Sequence, residues 1–446
     1  MLRSIFFNRY ASSTITLIVI HQAIIASSAY FLIKAITAHN ESQPFEIYVV
    51  MYLLSMILPF VPGCLSFVSS QAWANDAHKR VVLALIQHKK DKAWLFREAK
   101  LKDDFGIAVS RNSFGVISNY ISLTHDFLSL ALNSLLSFAV IGYLLPKELF
   151  WGYVISLIAS AVVITIFSRV VRRPSVDTEE KYISYGNVLS SGWDNYSVGN
   201  VYNRRMWDGR FEEKSNEYYR SQLKLSFYMQ TGNLLTALVA LVPTAYLIAG
   251  LIYSDRYDAA VVAAVVVSLT RVFQILGSLS TMMYQMVAWS SARAKLDFLS
   301  SFMNTGSDSA SIGSNVGKIF VNGEALDSFE DMLTRVQNSS SGRLTVRGEN
   351  GVGKSTLLLY LKSALNDKAF LLPAGNAQLC WNGDYSKKST GERSLGWLKE
   401  LYENNVKPNV ILLDEWDANL DVKNKSWISE ELDLISANSL VVEVRH

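Results

Sequence analysis

Six apolar stretches in this sequence are each long enough to cross a lipid bilayer as a helix, which takes about 20 residues. They lie near 14–37, 47–70, 119–145, 150–170, 229–252 and 259–283. Because lipid offers no hydrogen bonds, a spanning segment must satisfy its own backbone groups, and a helix does so. The sequence therefore predicts an all-α transmembrane domain of six helices within residues 1–304. Six buried helices of a large soluble protein are the alternative.

Positive charge is concentrated in two of the five connections between these stretches. Residues 71–118 carry nine lysines and arginines and residues 169–228 carry ten, whereas the three short connections together carry two. Positively charged loops stay on the cytoplasmic side of a membrane. We therefore expect a multi-pass protein of the inner or plasma membrane with both termini in the cytoplasm. The two long connections would form levers with tips near 104–110 and 191–198.

A linker rich in glycine and serine, residues 305–318, precedes a second predicted domain over 319–446. Five short apolar runs in that domain are typical of strands, and helical patterns lie between several of them. These runs are 319–321, 344–347, 369–372, 409–413 and 440–444. The pattern predicts a cytosolic α/β domain with a largely parallel sheet. The net charge of only +3 argues against binding of nucleic acid.

The run Gly348–Thr356 matches the phosphate-binding pattern G-x-x-x-x-G-K-S, known as the P-loop. A predicted strand precedes it and a predicted helix follows, which is the context that nucleotide binding requires. Lys354 would reach the β- and γ-phosphates, and Ser355 would hold Mg²⁺. The nucleotide-binding candidates here are Gly348, Asn350, Gly351, Gly353, Lys354, Ser355 and Thr356. A glycine-rich turn that binds no nucleotide is the alternative.

Two adjacent carboxylates, Asp414 and Glu415, follow the apolar run 410–413. Ligands of open α/β sheets bind at the carboxyl ends of the strands, so this pair is expected near the phosphate loop. Asp414 would help to hold Mg²⁺, and Glu415 would polarise the attacking water. These residues predict a nucleotide hydrolase that uses Mg²⁺. A strand that ends in a solvated acidic pair is the alternative.

The order of these motifs resembles the nucleotide-binding domain of ABC transporters, and the six-helix layout resembles the exporter branch in its half-transporter form. The resemblance implies that Ser389, Gly391 and Glu392 belong to the signature that contacts ATP bound to the partner subunit. It also implies that Asn419–Asp421 is the D-loop at the dimer interface. His446 would be the switch histidine and a second catalytic residue, with a stray terminal histidine as the alternative.

The sequence departs from the family pattern at several positions. Only 15 residues separate Pro373 from Ser389, which leaves no room for the family's helical subdomain. Ala374 stands where the Q-loop glutamine is expected, so Gln378 is the nearest candidate for that contact near Mg²⁺. Phe320 is the nearest aromatic candidate for stacking on the adenine. We therefore expect a P-loop domain with a reduced helical subdomain and slow hydrolysis.

Six transmembrane helices with one nucleotide-binding domain make half of an exporter in this family, so the resemblance implies a homodimer. A heterodimer with a related chain is the alternative. Polar residues at membrane depth usually face a cavity. The substrate-cavity candidates are His21, Gln22, His125, Asp126, Asn133, Asn233, Arg271, Gln274, Tyr284 and Gln285. A structural ion pair between Arg271 and Asp126 is the alternative at two of these positions.

The combined motifs predict ATP-driven export of an amphipathic molecule, such as a peptide or a drug-like compound, by alternating access. A lipid flippase is the first alternative. The second is a membrane-bound regulator or receptor that binds ATP and does not transport, which the reduced domain favours.

Overall fold

The computed structural model describes the chain except for residues 1–4, 91, 99–100, 103–104, 107–108, 110–112, 145–146, 253–276, 279–280, 283–284, 287, 290–291, 294, 298, 304–317, 375–378, 386–387, 389, 404–407, 418–419 and 446. Most of the sixth apolar stretch and nearly all of the linker therefore lie outside the described residues. The chain forms two compact units. One is Met1–Leu83 with Ala108–Ser301, and the other is Ala84–Ile107 with Phe302–His446. The predicted domain bounds at 304 and 319 stay predictions.

The first half of the chain is helical. Its main helices before position 253 are α1 (Arg9–Asn40), α2 (Glu46–Ile57), α3 (Phe60–Gln87), α4 (Ser113–Leu144), α5 (Lys147–Ser190), α6 (Gly192–Ser197) and α7 (Val201–Ile252). Among the described residues, five helical segments are long and apolar enough to cross a membrane. They are Arg9–Asn40, Glu46–Gln87, Ser113–Val140, Val154–Ser197 and Val201–Pro243. These five correspond to the first five predicted stretches.

The second predicted stretch contains a break that the hydropathy pattern does not indicate. A turn at Leu58 and Pro59 separates α2 from α3. Leu58 keeps a helical backbone, but Pro59 has no N–H to continue the helical hydrogen bonds and its ring clashes with the carbonyl four residues earlier, so the helix is interrupted there. The apolar pattern continues through the turn because both residues are themselves apolar.

Helices α5 and α7 are far longer than a bilayer requires. They contain 44 and 52 residues, and at about 1.5 Å per residue each exceeds the ~30 Å hydrocarbon core twofold. Near their connection they pack through polar and aromatic side chains. Tyr185 stacks on Tyr218 with ring centroids 5.6 Å apart, and Ser221 Oγ donates to Asp177 Oδ2 at 2.9 Å. The short helix α6 joins them at the predicted lever tip near 191–198.

The second unit contains a six-stranded mixed sheet. Its strands are β1 (Phe320–Val321), β2 (Glu324–Ala325), β3 (Gly342–Arg347), β4 (Ala369–Leu372), β5 (Val410–Asp414) and β6 (Leu440–Val444). The spatial order is β2-β1-β3-β6-β5-β4, in which β3, β6, β5 and β4 run parallel and the β1–β2 hairpin is antiparallel. All strands but β2 were predicted, since Glu324 and Ala325 form no apolar run.

Helices cover both faces of this sheet. They are α8 (Phe329–Asn338), α9 (Lys354–Leu365), α10 (Thr390–Glu403) and α11 (Val422–Ser436). Side chains alternate between the faces of a strand. In β5, Leu412 accordingly packs in the core formed with α8 and α9, whereas Leu413 packs in the core formed with α10 and α11. Asp421 caps α11 by accepting a hydrogen bond from Asn424 N at 2.7 Å.

Leu412→Ala is expected to destabilise the second unit by about 2–5 kcal/mol, because it leaves a cavity in a packed core. Leu412 is 0% exposed, whereas Leu434 on α11 is 66% exposed. Leu434→Ala is therefore the matched control and should have little effect. The measurement is the thermal unfolding midpoint of the full chain in detergent. Equal midpoints for the two variants would contradict this assignment of the core.

Candidate nucleotide-binding site

The phosphate loop connects β3 to α9 through a tight backbone path. Gly351 and Gly353 have φ angles of 84° and 102°, a left-handed conformation that glycine adopts at no steric cost. A Cβ atom on Gly348 would come within 2.9 Å of the carbonyl oxygen of Lys318. The glycines of the pattern are therefore required by the path of the loop, which leads directly into the N-terminus of α9.

Lys354, the first residue of α9, is buried with its ammonium turned back onto the loop. Its Nζ donates to the carbonyl oxygens of Gly348 at 2.8 Å and Glu349 at 3.1 Å. An ammonium has three N–H donors, so one remains beyond these two bonds. The N-terminus of the helix and the lysine together place positive charge at this loop, as anion binding requires.

Ser355 and Asp414 join the loop to the end of β5. Ser355 Oγ donates to Asp414 Oδ1 at 3.0 Å. Burial raises the pKa of Asp414, and the charge of Glu415 adds to this, while the hydrogen bonds from Ser355 and from the backbone N–H of Ala374 oppose it. The net direction is a pKa above the ordinary aspartate value.

These two oxygen-bearing side chains fit Mg²⁺. That ion takes oxygen ligands, and in nucleotide sites it usually has one or two from the protein and the rest from phosphates and water. Within the described residues no cluster of three or more His, Cys, Asp or Glu side chains could hold a metal by itself. The donor set at Ser355 and Asp414 therefore suits a metal that arrives with phosphate.

Glu415 follows Asp414 with a left-handed backbone, φ 48°. Such a conformation is uncommon for a residue other than glycine, costs about 1–3 kcal/mol, and concentrates at functional sites. The structure thus brings Lys354, Ser355, Asp414 and Glu415 to one edge of the sheet. Phe320 lies on β1 beside the residue that precedes the loop, since it pairs with Arg347.

The remaining predicted residues of the site lie on α10, in the phosphate loop, or outside the described residues. Gly391 and Glu392 lie in the first turn of α10. Asn350 lies exposed in the phosphate loop. Three predicted residues of the site lie outside the described residues: Gln378, Ser389 and His446.

Thr356 contacts the segment that follows α3, and the sequence did not predict this contact. A 3-10 helix at Ala93–Arg97 packs against α9, and the Arg97 guanidinium donates to Thr356 Oγ1. Lys90 forms an ion pair of 2.9 Å with Asp367, just beyond the other end of α9. This segment was predicted only as a charged connection with its tip near 104–110, because sequence patterns do not indicate which distant helix a loop contacts.

Several cavity candidates contact one another in the first unit. His125 is buried and lies 3.0 Å from Ser66 Oγ and 3.1 Å from Asp126 Oδ1. Gln22 Nε2 lies 3.3 Å from His21 Nδ1. The structure therefore gives Asp126 a partner in His125.

The remaining cavity candidates divide into two groups. Asn133 and Asn233 lie on α4 and α7, and Gln285 has a buried Oε1 without a hydrogen-bond partner among the described residues. Outside the described residues lie Arg271, Gln274 and Tyr284. The predicted alternative of an Arg271–Asp126 pair stays untested.

Comparison with known proteins identifies the fold. No family model matches the sequence, and no curated protein matches it. Among solved structures, the chain is similar to a bacterial Atm1-family ABC exporter with ATP bound. The similarity covers 98% of this chain and 91% of that chain, with a TM-score of 0.68 at 12% sequence identity. The chain thus has an ABC exporter-type fold, which confirms the resemblance at the level of the fold.

Asp414→Asn is expected to abolish the extra stability that Mg²⁺ adds to ATP binding. A ligand at 100 times its dissociation constant stabilises a protein by about 2.7 kcal/mol. The thermal unfolding midpoint of the wild type should therefore rise more with Mg²⁺ and ATP than with ATP and a chelator. Asp327→Asn, at an exposed carboxylate, is the control. A full Mg²⁺-dependent rise in Asp414→Asn would contradict the assigned role.

Proposed function

We propose that this protein is an ATP-driven exporter that moves an amphipathic substrate, a peptide or a drug-like compound, across the inner or plasma membrane. The observation that supports it most is the Ser355–Asp414 hydrogen bond at a glycine-rich phosphate loop. The exporter-type fold and the five helices of membrane-crossing length agree with it. The similar solved structure was determined with ATP bound, which supports the choice of nucleotide.

The residues of the site take distinct roles in this proposal. The backbone N–H groups of the loop bind the phosphates, and Lys354 leaves its two carbonyl partners to contact them. Ser355 and Asp414 would hold Mg²⁺, which offsets phosphate charge when bound. Glu415 accepts a proton from, or orients, the attacking water.

A homodimer completes the site, because the signature residues of one copy contact ATP on the other. In this arrangement Ser389, Gly391 and Glu392 come from the partner, and His446 contacts the γ-phosphate. ATP binding closes the two nucleotide domains and hydrolysis releases them, which drives alternating access of the substrate cavity.

In this proposal, Arg97 couples nucleotide binding to the membrane helices. Thr356 lies in the first turn of α9, next to the phosphates that the helix N-terminus would bind. The guanidinium bound to it belongs to the segment that follows α3, one of the membrane-length helices. Movement of α9 on nucleotide binding would therefore reach α3 without a helical subdomain.

A membrane-bound regulator that binds ATP without transport is the second candidate. The observation that favours it is the short segment between Leu372, the end of β4, and Thr390, the start of α10. The family's helical subdomain would stand there. ATP binding without turnover, in the measurement below, would support this candidate over the exporter.

Glu415→Gln should lower ATP hydrolysis by about 10²- to 10⁴-fold, the usual contribution of a general base, while ATP binding is retained. Phosphate release from purified protein in lipid nanodiscs measures it. Glu349→Gln, at an exposed carboxylate on the loop, is the matched control and should retain activity. Equal activity of the wild type and Glu415→Gln would contradict the role of Glu415.

Arg97→Gln should uncouple ATP binding from the membrane helices, since it removes the guanidinium that contacts Thr356. A spin label at Ser197, on α6, would report the distance between two copies in the homodimer. We expect ATP to change this distance in the wild type and to change it much less in Arg97→Gln. ATP affinity should stay within about threefold, since the contact is exposed.

Lys90→Gln is the control for this experiment, because it removes an exposed ion pair at the far end of α9. Such a pair contributes about 0–1 kcal/mol. The label requires Cys64 and Cys380, both exposed, to be replaced by serine. An unchanged ATP response in Arg97→Gln would exclude this route of coupling.

A further inference from the structure

A charged side chain lies in the middle of the sheet, on the central strand β6. Glu443 is 1% exposed, and the other four side chains of its strand are buried and apolar. Arg343 binds it through two nitrogens, Nε to Oε1 at 2.8 Å and Nη2 to Oε2 at 2.9 Å. Thr345 Oγ1 donates to Oε1 at 3.1 Å, and Trp416 Nε1 donates to Oε2 at 2.9 Å.

These contacts keep the carboxylate ionised. Burial alone raises the pKa of Glu443, but the hydrogen bonds and charge of Arg343 and the hydrogen bond from Trp416 outweigh it, so the pKa lies below its ordinary value. Arg445 adds a second positive charge, with its Nε 3.0 Å from Oε1. Bidentate, charge-assisted bonds of this kind fix a carboxylate in one orientation.

The stability of the fold does not by itself require this arrangement. Removing two charges from water costs several kcal/mol per ion, and apolar residues of similar volume often serve a buried position equally well. Every other side chain that points from β6 into the sheet cores is apolar. The buried carboxylate is therefore expected to hold something in place.

Trp416 is the group that it holds. The indole N–H is fixed by Glu443, and the Arg445 guanidinium lies over the ring at 5.3 Å from its centroid. Trp416 directly follows Glu415, whose φ of 48° must be maintained by its surroundings. On the other side of Glu415, Asp414 is bound by Ser355. Both neighbours of the strained residue are thus anchored.

We propose that Glu443, acting through the Trp416 indole, is a positioning residue that holds Glu415 in its left-handed conformation and so aims the carboxylate at the attacking water. The inference rests on the proposed ATP hydrolysis. Glu443 and Trp416 touch no reacting atom. The contribution of Trp416 is to the rate of hydrolysis and not to the binding of ATP, because Trp416 lies on the turn after β5, whereas the phosphate loop connects β3 to α9.

Trp416→Phe and Thr345→Val provide a matched test. Each removes one neutral hydrogen-bond donor from the same carboxylate; valine has the shape of threonine, and phenylalanine keeps an aromatic ring that is smaller than indole. Only Trp416 adjoins Glu415. In Trp416→Phe we expect kcat for ATP to fall about tenfold and KM to stay within about twofold, the signature of an interaction that acts in the transition state. Thr345→Val should leave both constants within about twofold.

The pH profile separates this role from the titration of Glu443. Because its folded pKa is depressed, the stability it contributes is fully present above the ordinary glutamate value and is lost only as the pH falls through the lowered value. The ratio of wild-type to Trp416→Phe kcat should therefore be constant between about pH 6 and 8.

The outcomes are distinct. Three results would overturn the positioning role: equal effects of the two substitutions, an effect on KM, or loss of ATP-dependent thermal stabilisation in Trp416→Phe. If the wild type hydrolyses ATP, none of these results contradicts the proposed function. A wild type that binds ATP and does not hydrolyse it would overturn the proposed function and this role together. A tenfold fall in kcat confined to Trp416→Phe supports the inference.

Discussion

The hydrogen bond between Ser355 and Asp414 is the contact on which the functional interpretation depends. It connects two segments that are far apart in the chain, the start of α9 and the end of β5, across the intervening strand β6. Burial disfavours the ionised form of Asp414 and raises its pKa, so an apolar residue would pack here at a lower cost. The hydroxyl and the carboxylate are well placed for a divalent cation that would relieve this cost. In the proposed function the glycine-rich loop supplies an anion site beside them, so the two features support the same chemistry.

Much of this architecture could be predicted from the sequence, and the exceptions have physical reasons. Bilayer-length apolar runs and short buried strands have local signatures, so the first five spans and the strand that ends in Asp414 were predicted. The turn at Leu58 and Pro59 was missed because hydropathy does not distinguish an apolar turn from an apolar helix. The hairpin strand β2 was missed because two residues of mixed polarity carry no periodicity.

Long-range polar contacts were beyond sequence reasoning. The phosphate loop and the acidic pair could be assigned because their residue types and spacing follow from chemistry. Arg97 and Glu443 could not, because any of many basic or acidic residues satisfies the local pattern. Only the fold selects the arginine that meets Thr356 and the glutamate that meets Trp416. Arg97 contacts the candidate site from an earlier segment of the chain and Glu443 contacts it from β6, whereas the motif residues would contact the ligand in the proposed function.

The left-handed backbone at Glu415 has a consequence for how variation at this position is interpreted. Glycine, asparagine and aspartate adopt that conformation readily, whereas valine and isoleucine are excluded from it by their branched side chains. The effect of a substitution at position 415 would therefore depend on the backbone preference of the new residue as well as on its charge. An inactive β-branched substitution reports a deformed turn, and only residues that share the backbone conformation of Glu415 report what its carboxylate does.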